Sequence, residues 1–390
     1  MTRNRVNRPD TPPIDRSPLD PRGWGWEIWL LAAIPVAAVS AWAGAPGAVR
    51  FLAAGLAIIP LAGLMGRSTE SLAHRLGPGI GGLLNATFGN AAELILALIA
   101  MGRGLDGVVK ASLTGSIVGN LLLVLGASLL AGGIKYPIQR FSRRAAGAGA
   151  TMMVLASFAL LIPALFHRVV GAGKVGLEHK LSLSVSVLLI VAYVLNLIFS
   201  LVTHKSLFSQ DERPQSLDAP APEPESIEEG WSTRRAAGTL VVATAFVAWM
   251  SELLVASVES ASHSLGLNQV FMGVIVVAII GNAAEHSTAI LVALKNQMDL
   301  SIGIAMGSAL QVALFVAPVL VFASYLRPAS IGPMDLLFTT FEVVAVILAA
   351  IIARMVAEDG ESNWLEGAML LLIYAILGIA FYLLPADLVG

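Results

Sequence analysis

Residues 88–98 read FGNAAELILAL, and residues 280–290 read IGNAAEHSTAI. Each sets an Asn and a Glu three residues apart, Asn90 with Glu93 and Asn282 with Glu285, inside a stretch otherwise apolar enough to lie in lipid. A carboxylate at membrane depth costs about 2.5–3.5 kcal/mol on insertion scales. A chain that carries this cost twice, at equivalent places, has a use for it.

The surrounding composition supports a membrane setting. The chain has 390 residues, 56% hydrophobic and 13% charged, with a mean hydropathy of +0.79. A soluble protein would have roughly a quarter of its residues charged. Eleven mainly apolar windows of the length a crossing helix needs lie near 26–43, 49–66, 80–101, 107–131, 145–166, 181–203, 236–258, 269–294, 300–324, 334–355 and 364–386. The expected fold is an all-α polytopic membrane protein of about 11 transmembrane helices. The net charge of −2 and the lack of a basic groove give no sign of nucleic acid. With no cysteine there is neither a disulfide framework nor a thiolate metal site.

Residues 1–25, rich in Arg, Pro and Asp and without a signal-peptide core, read as a disordered cytoplasmic tail. If that end is cytoplasmic and all eleven windows cross, 17 of the 24 basic residues fall on the cytoplasmic side and 7 on the other. This bias obeys the positive-inside rule.

The Glu-bearing stretches belong to a longer repeat. STESLAHRLG at 68–77 matches SVESASHSLG at 257–266, aligning Glu70 with Glu259. GNAAE recurs 192 residues after its first appearance, and the pairs Gly115-Ser116 and Gly307-Ser308 follow 23 residues beyond each Glu. Three matches in one order mark an internal duplication. With a first helix at 26–48, each half holds five crossings, 49–203 and 236–390, so the second half enters the membrane from the opposite side. Inverted repeats of this kind recur in secondary transporters, with the site near the midplane between halves. Residues 204–235 are acidic and Pro-rich and read as a cytoplasmic linker.

Asn and Glu three apart share a helix face, and their oxygens are hard ligands of the type calcium takes six to eight at a time. Gly89 and Gly281 precede each pair, permitting close helix approach or a break that frees backbone carbonyls. Two carboxylates in one dry site cannot both stay charged without a cation. Calcium would then expel protons and protons calcium, the minimal mechanism of an antiporter.

Ser112, Ser116 and Asn120 on one helix, with Ser308 and Gln311 on its counterpart, are candidate additional ligands; small polar residues also join membrane helices without binding anything. Glu70, Glu252 and Glu259 sit near helix ends, where they line an ion or proton pathway or simply face water. His286 reads as a hydrogen-bonded structural residue. The linker acids Asp211, Glu212, Asp218, Glu223, Glu225, Glu228 and Glu229 lack EF-hand spacing and read as a solvated tether. Prolines 35, 60, 163 and 318 and the many glycines mark kinks or tight packing.

GPGIGGLLNATFGNAAELILAL and GVIVVAIIGNAAEHSTAILVALKNQMDLSIGIAMGSALQVALFVAP resemble the two signature repeats of calcium/proton antiporters, the CAX family of the calcium/cation antiporter superfamily. The resemblance covers about residues 50–386. It implies a ten-helix inverted-repeat core preceded by an extra first helix, exchanging Ca2+ for H+, with Glu93 and Glu285 as shared ligands and Asn90 and Asn282 beside them. It also implies that Glu70 in STESLA and Glu252 in WMSELL belong to gating helices that slide to alternate access. In the family a linker joins the halves on the cytosolic face; here it is short and without a long acidic run.

The cargo is then Ca2+, a transported substrate and not a cofactor, and none is expected. Partners are H+ and membrane lipid, and the sequence is compatible with a homo-oligomer. Compactness suggests a bacterial plasma membrane, with a vacuolar or other organellar membrane as the alternative. A sodium/calcium exchanger should surround its paired acids with further hydroxyl and acidic groups, whereas Ala, Leu and Ile predominate here. The ligand set also suits Mn2+. An intramembrane hydrolase would need HExxH or a nucleophile with a base, which EHSTA does not supply. A calcium channel would not drive Ca2+ against its gradient with protons.

Overall fold

The computed structural model describes residues 26–171, 173–204 and 231–385. The tail 1–25 and the seven linker acids lie outside the described residues.

A 3₁₀ turn at Trp26–Ala32 leads into α1 (Ala33–Trp42), which packs on α2 (Gly47–Phe88). Trp29 and Trp42, 80% and 90% exposed, mark this first helix as peripheral. After α3 (Ala91–Gly102), α4 (Asp106–Val118) continues through a π-helical turn at Gly119–Val124 into α5 (Leu125–Lys135). A short strand β1 (Gln139–Arg140), α6 (Arg143–Val170) and α7 (Val175–Ile198), which ends in a π turn at Phe199–Thr203, complete the first half.

The second half opens with α8 (Thr233–Leu265). Next, α9 (Gln269–Phe271), a π turn at Met272–Val277 and α10 (Ala278–Ala293) form one span. Another span joins α11 (Met298–Gln311), a π turn at Val312–Val316 and α12 (Ala317–Ser324). α13 (Thr340–Val356), strand β2 (Glu361–Ser362) and α14 (Trp364–Leu383) finish the fold. The π turns after Ser116 and after Ser308 are pseudo-equivalent. Such turns concentrate at functional sites.

The fold is that of an all-α membrane protein with a peripheral first helix and two inverted five-helix repeats. Among the described residues eight helices are long and apolar enough to cross a membrane, and Trp29–Trp42 and Ala91–Gly102 are shorter apolar helices. The spans Asp106–Lys135 and Met298–Ser324 are 72% buried and form the centre; Val175–Thr203 and Trp364–Leu383, 22% buried, form the rim. There Leu188, Leu195, Ile376 and Ile379 project apolar side chains outward, as helices facing lipid do.

Local chemistry accounts for two departures from the window pattern. Residues 334–339, the start of window 334–355, are not helical. Helix α13 begins only where Thr339 and Glu342 form a capping box, and the apolar residues ahead of it, Met334, Leu336 and Phe338, are buried in an extended strap. Helix α2 runs through the gap between windows 49–66 and 80–101 to Phe88, 42 residues in all. It is not straight, because a Cβ at Gly81 would run into the main chain of Ala73, and residues eight apart in a straight helix lie about 12 Å apart along the axis.

Long-range hydrogen bonds sort the helix ends into two faces. On the linker face, Ser71 and Arg75 donate to the Trp231 carbonyl, and β1 pairs antiparallel with β2. On the far face, Arg327 pairs with Asp106, and Asn268 donates to the Phe381 carbonyl.

Candidate functional site

Both GNAAE segments meet at the centre of the molecule. Glu93 lies in the first turn of α3, just after the helix break at Gly89 and Asn90, while Glu285 lies inside the continuous α10. Each carboxylate rests against the glycine of the other copy. A Cβ on Gly281 would lie 3.2 Å from Glu93 Cγ, and one on Gly89 would lie 3.9 Å from Glu285 Oε1. Glycine at 281 therefore leaves room for the opposing acid, whereas at 89 the tightest neighbour is the Asn85 carbonyl, 2.8 Å from a Cβ.

A polar network joins the pair. Glu93 Oε1 accepts from the Ser116 hydroxyl and from Asn282 Nδ2. Asn282 Nδ2 also lies 2.9 Å from Ser116 Oγ. Asn120 Nδ2 donates to Ser308 Oγ at 3.0 Å, and Ser308 Oγ donates to Asn90 Oδ1 at 3.1 Å. Asn90 Nδ2 donates to Gln311 Oε1 at 2.5 Å. Ser308 is also the hydroxyl beside Glu285. The pseudo-two-fold thus sets Ser116 on Glu93 and Ser308 beside Glu285, and Asn120 and Gln311 bridge the halves.

Glu93 Oε2, Glu285 Oε2 and Asn120 Oδ1 are buried and have no hydrogen-bond partner. An ionised carboxylate oxygen without a donor, shielded from water, is strongly disfavoured. These three oxygens therefore call for a cation or for protons. The two carboxylates with the oxygens of Asn90, Asn120 and Gln311 form an all-oxygen donor set that suits a hard divalent ion.

Asn90, Asn282, Ser116, Asn120, Ser308 and Gln311 thus converge. Ser112 does not: among the described residues it makes no hydrogen bond to the network, and it lies a turn away beside Gly273. Glu70, Glu252 and Glu259 are exposed. Glu70 sits 4.0 Å from His74, and Glu252 pairs with Arg103 at the end of α3. His286 corrects its sequence reading, because its Nε2 is buried with no hydrogen-bond partner.

Sequence reasoning overlooked a second polar cluster, on the far face. Lys110 donates to Asp335 at 3.0 Å and to the Leu337 carbonyl at 2.8 Å, and buried Glu342 lies 3.5 Å from Thr114 Oγ1. The spacing of Thr339 and Glu342 as a capping box was the available signal.

The model of the family described as sodium/calcium exchanger protein matches residues 46–202 and 235–383. The Ca(2+)/H(+) antiporter of Synechocystis sp. is 49% identical over 364 residues, covering 91% of this chain and 96% of that protein. The Ca(2+)/H(+) antiporter ChaA of Bacillus subtilis is 45% identical over 358 residues, covering 92% and 98%. The solved structure of native YfkE superposes with a TM-score of 0.77 at 42% identity, covering 92% of this chain and all of that one. Two separately matched halves, each carrying one GNAAE, and full-length relatives at this identity establish that the chain belongs to the sodium/calcium exchanger protein family, among its calcium/proton antiporters.

Proposed function

We propose that this chain is a secondary transporter exchanging Ca2+ for H+ by alternating access, with Glu93 and Glu285 binding the two substrates in competition. The observation that carries the reading is the convergence of both glutamates on one network, each with a buried carboxylate oxygen that no donor satisfies. Their polar neighbours are Ser and Asn, not Arg or Lys. A protein cation therefore does not neutralise them, and the substrates do. The doubly charged empty site is costly to move through a low-dielectric interior, whereas the calcium-loaded and protonated sites are near neutral. Only loaded sites then cross, which is the requirement for exchange without leak.

Alternating access draws support from an asymmetry between the faces. On the far face Gly115 and Gly273 are pressed into the opposing helices, while the linker-face equivalents of Gly115 and Ala111, Gly307 and Gly303, have nothing within 4 Å of a Cβ. The centre is thus approached from the linker face. The basic-residue bias supports a cytoplasmic position for that face, and a bacterial plasma membrane is the proposed location.

The test is Ca2+ uptake into proteoliposomes with an imposed pH gradient, acid inside, without sodium and with a protonophore control. Uptake that collapses with the gradient is expected. A requirement for sodium would make the chain a sodium/calcium exchanger, and uptake without either gradient would make it a channel.

A further inference from the structure

The two carboxylates are held by more than their own hydrogen bonds. Each site helix ends in a tight turn into the helix that bears its serine: α3 turns at 102–106 into α4 with Ser116, and α10 turns at 294–298 into α11 with Ser308. The last carbonyls of a helix have no partner in its regular ladder. Here the Leu294 carbonyl is taken by a side chain from the opposite half, and the Met101 and Ala293 carbonyls, which accept the Gly104 and Asn296 amides in their turns, receive a second donor from it.

On the far face Arg327 Nη1 donates to the Met101 carbonyl at 3.0 Å. The same guanidinium grips Asp106, at the start of α4, through two bonds of 2.6 Å, and its side chain is only 5% exposed. On the linker face Lys135 Nζ donates to the Leu294 carbonyl at 2.9 Å, and Gln139 Nε2 donates to the Ala293 carbonyl at 2.9 Å and to Asn296 Oδ1 at 3.1 Å. Asp299, at the start of α11, accepts from the Ser142 amide at 2.5 Å. Lys135 and Arg327 are 192 residues apart, the offset that relates Glu93 to Glu285.

We propose that Arg327 on one face, and Lys135 with Gln139 on the other, are positioning residues for exchange, each half clamping the helical hairpin that carries the other half's glutamate and serine. The inference rests on the antiport reading of the central site. Met101 and Ala293 each lie eight residues beyond their glutamate, about 12 Å along the helix. A cation or amide donor at a helix C-terminus is favourable in itself, and the bidentate grip on Asp106 adds direction as well as strength. The clamp therefore fixes the end of the glutamate helix and the start of the serine helix together. That junction sets how Glu93 meets Ser116 and how Glu285 meets Ser308.

The experiment measures initial Ca2+ uptake against Ca2+ concentration for full-length protein in pH-gradient proteoliposomes. Arg327→Gln should raise the half-saturating Ca2+ concentration by about tenfold, the low end of what ligand-supporting residues cost, with the maximal rate within about twofold. Lys135→Met should raise it less, because Gln139 still holds the neighbouring carbonyl. Arg327→Lys, which keeps a cation on the Met101 carbonyl, should recover most of the loss. A merely structural role would lower the maximal rate through loss of active protein while leaving half-saturation unchanged, and that result overturns the proposal. If Arg327→Gln does not fold, Asp106→Asn and Lys135→Met carry the same test, and unchanged half-saturation in both overturns it. Failure of the wild-type protein to take up Ca2+ under the gradient would instead sink the antiport reading.

Discussion

The two GNAAE copies have one sequence and two backbones. In the first, Gly89 and Asn90 interrupt the helix and Gly89 is exposed; in the second, the same residues lie within continuous α10. The difference originates upstream. The lead-in to the second copy packs tightly on α4: a Cβ on Gly115 would overlap the Val274 main chain, and one on Gly273 would lie 2.5 Å from Ala111 Cβ. The equivalent lead-in to the first copy is not pressed against α11 at Gly303 or Gly307. Gly81 lies against Ala73, and a Cβ on Gly82 would lie 2.8 Å from Leu201, while Gly303 and Gly307 face open space. One sequence motif thus serves as a closed wall on the far face and an open one on the linker face. On the proposed alternating-access reading, exchange of those two roles between the repeats would generate the opposite-facing state.

What the copies share is the carboxylate, and removing it should have the largest effect. Glu93→Gln and Glu285→Gln each delete one of the two ionisable ligands while keeping shape and hydrogen-bonding capacity. Proton-driven Ca2+ uptake should fall to background in both, with a monodisperse protein on size-exclusion chromatography. Normal transport in either variant would break the equivalence of the two halves at its centre.

Where the copies differ, the glycines should report it. Overpacking costs about 1–3 kcal/mol, enough to shift a two-state population by roughly 5- to 150-fold. Gly115→Ala disturbs the closed far face and should favour the state open there. Gly307→Ala meets nothing in the present state but would meet Gly82 after the swap, so it should favour the state open at the linker face. The chain has no cysteine, so single reporters are clean. Labelling of Ser112→Cys by an impermeant maleimide should rise in Gly115→Ala and fall in Gly307→Ala, and labelling of Ile304→Cys should do the reverse. Shifts of the same sign would sink the swap.

Much of the centre was legible in the sequence, because it depends on residues repeated at one offset: Asn90 with Asn282, Glu93 with Glu285, Ser116 with Ser308. Asn120 and Gln311 also stood out, although neither has a counterpart at that offset, where Val312 and Gly119 stand. Which copy is bent was not legible, since identical pentapeptides carry no signal for it and packing on distant helices decides. Helical spacing also placed Ser112 and Ser116 on one face equally well. Only Ser116 reaches Glu93, and the main chain of Ser112 lies at the tight crossing beside Gly273. A hydrogen bond to a charged group contributes about 1.5–3 kcal/mol, so Ser116→Ala should weaken Ca2+ half-saturation by about tenfold or more, whereas Ser112→Ala should leave it within about twofold. The straps and clamps went unread because partners more than 150 residues apart share no local pattern.

The smallest expected effect concerns charge. Arg103, at the end of α3, pairs with Glu252 on α8 across the closed far face, both side chains being roughly half exposed. Its equivalent at the repeat offset is Lys295, which is exposed and makes no ion pair among the described residues; the α2 position matching Glu252 is Gly63. The far face therefore has a latch that the linker face lacks. An exposed pair contributes at most about 1 kcal/mol and is screened by salt, so Glu252→Gln should shift the population toward the far-open state by no more than about fivefold. High ionic strength should produce the same shift in wild type and almost none in the variant. A salt effect that survives Glu252→Gln would place the bias elsewhere, in the packing of Gly115 and Gly273 alone.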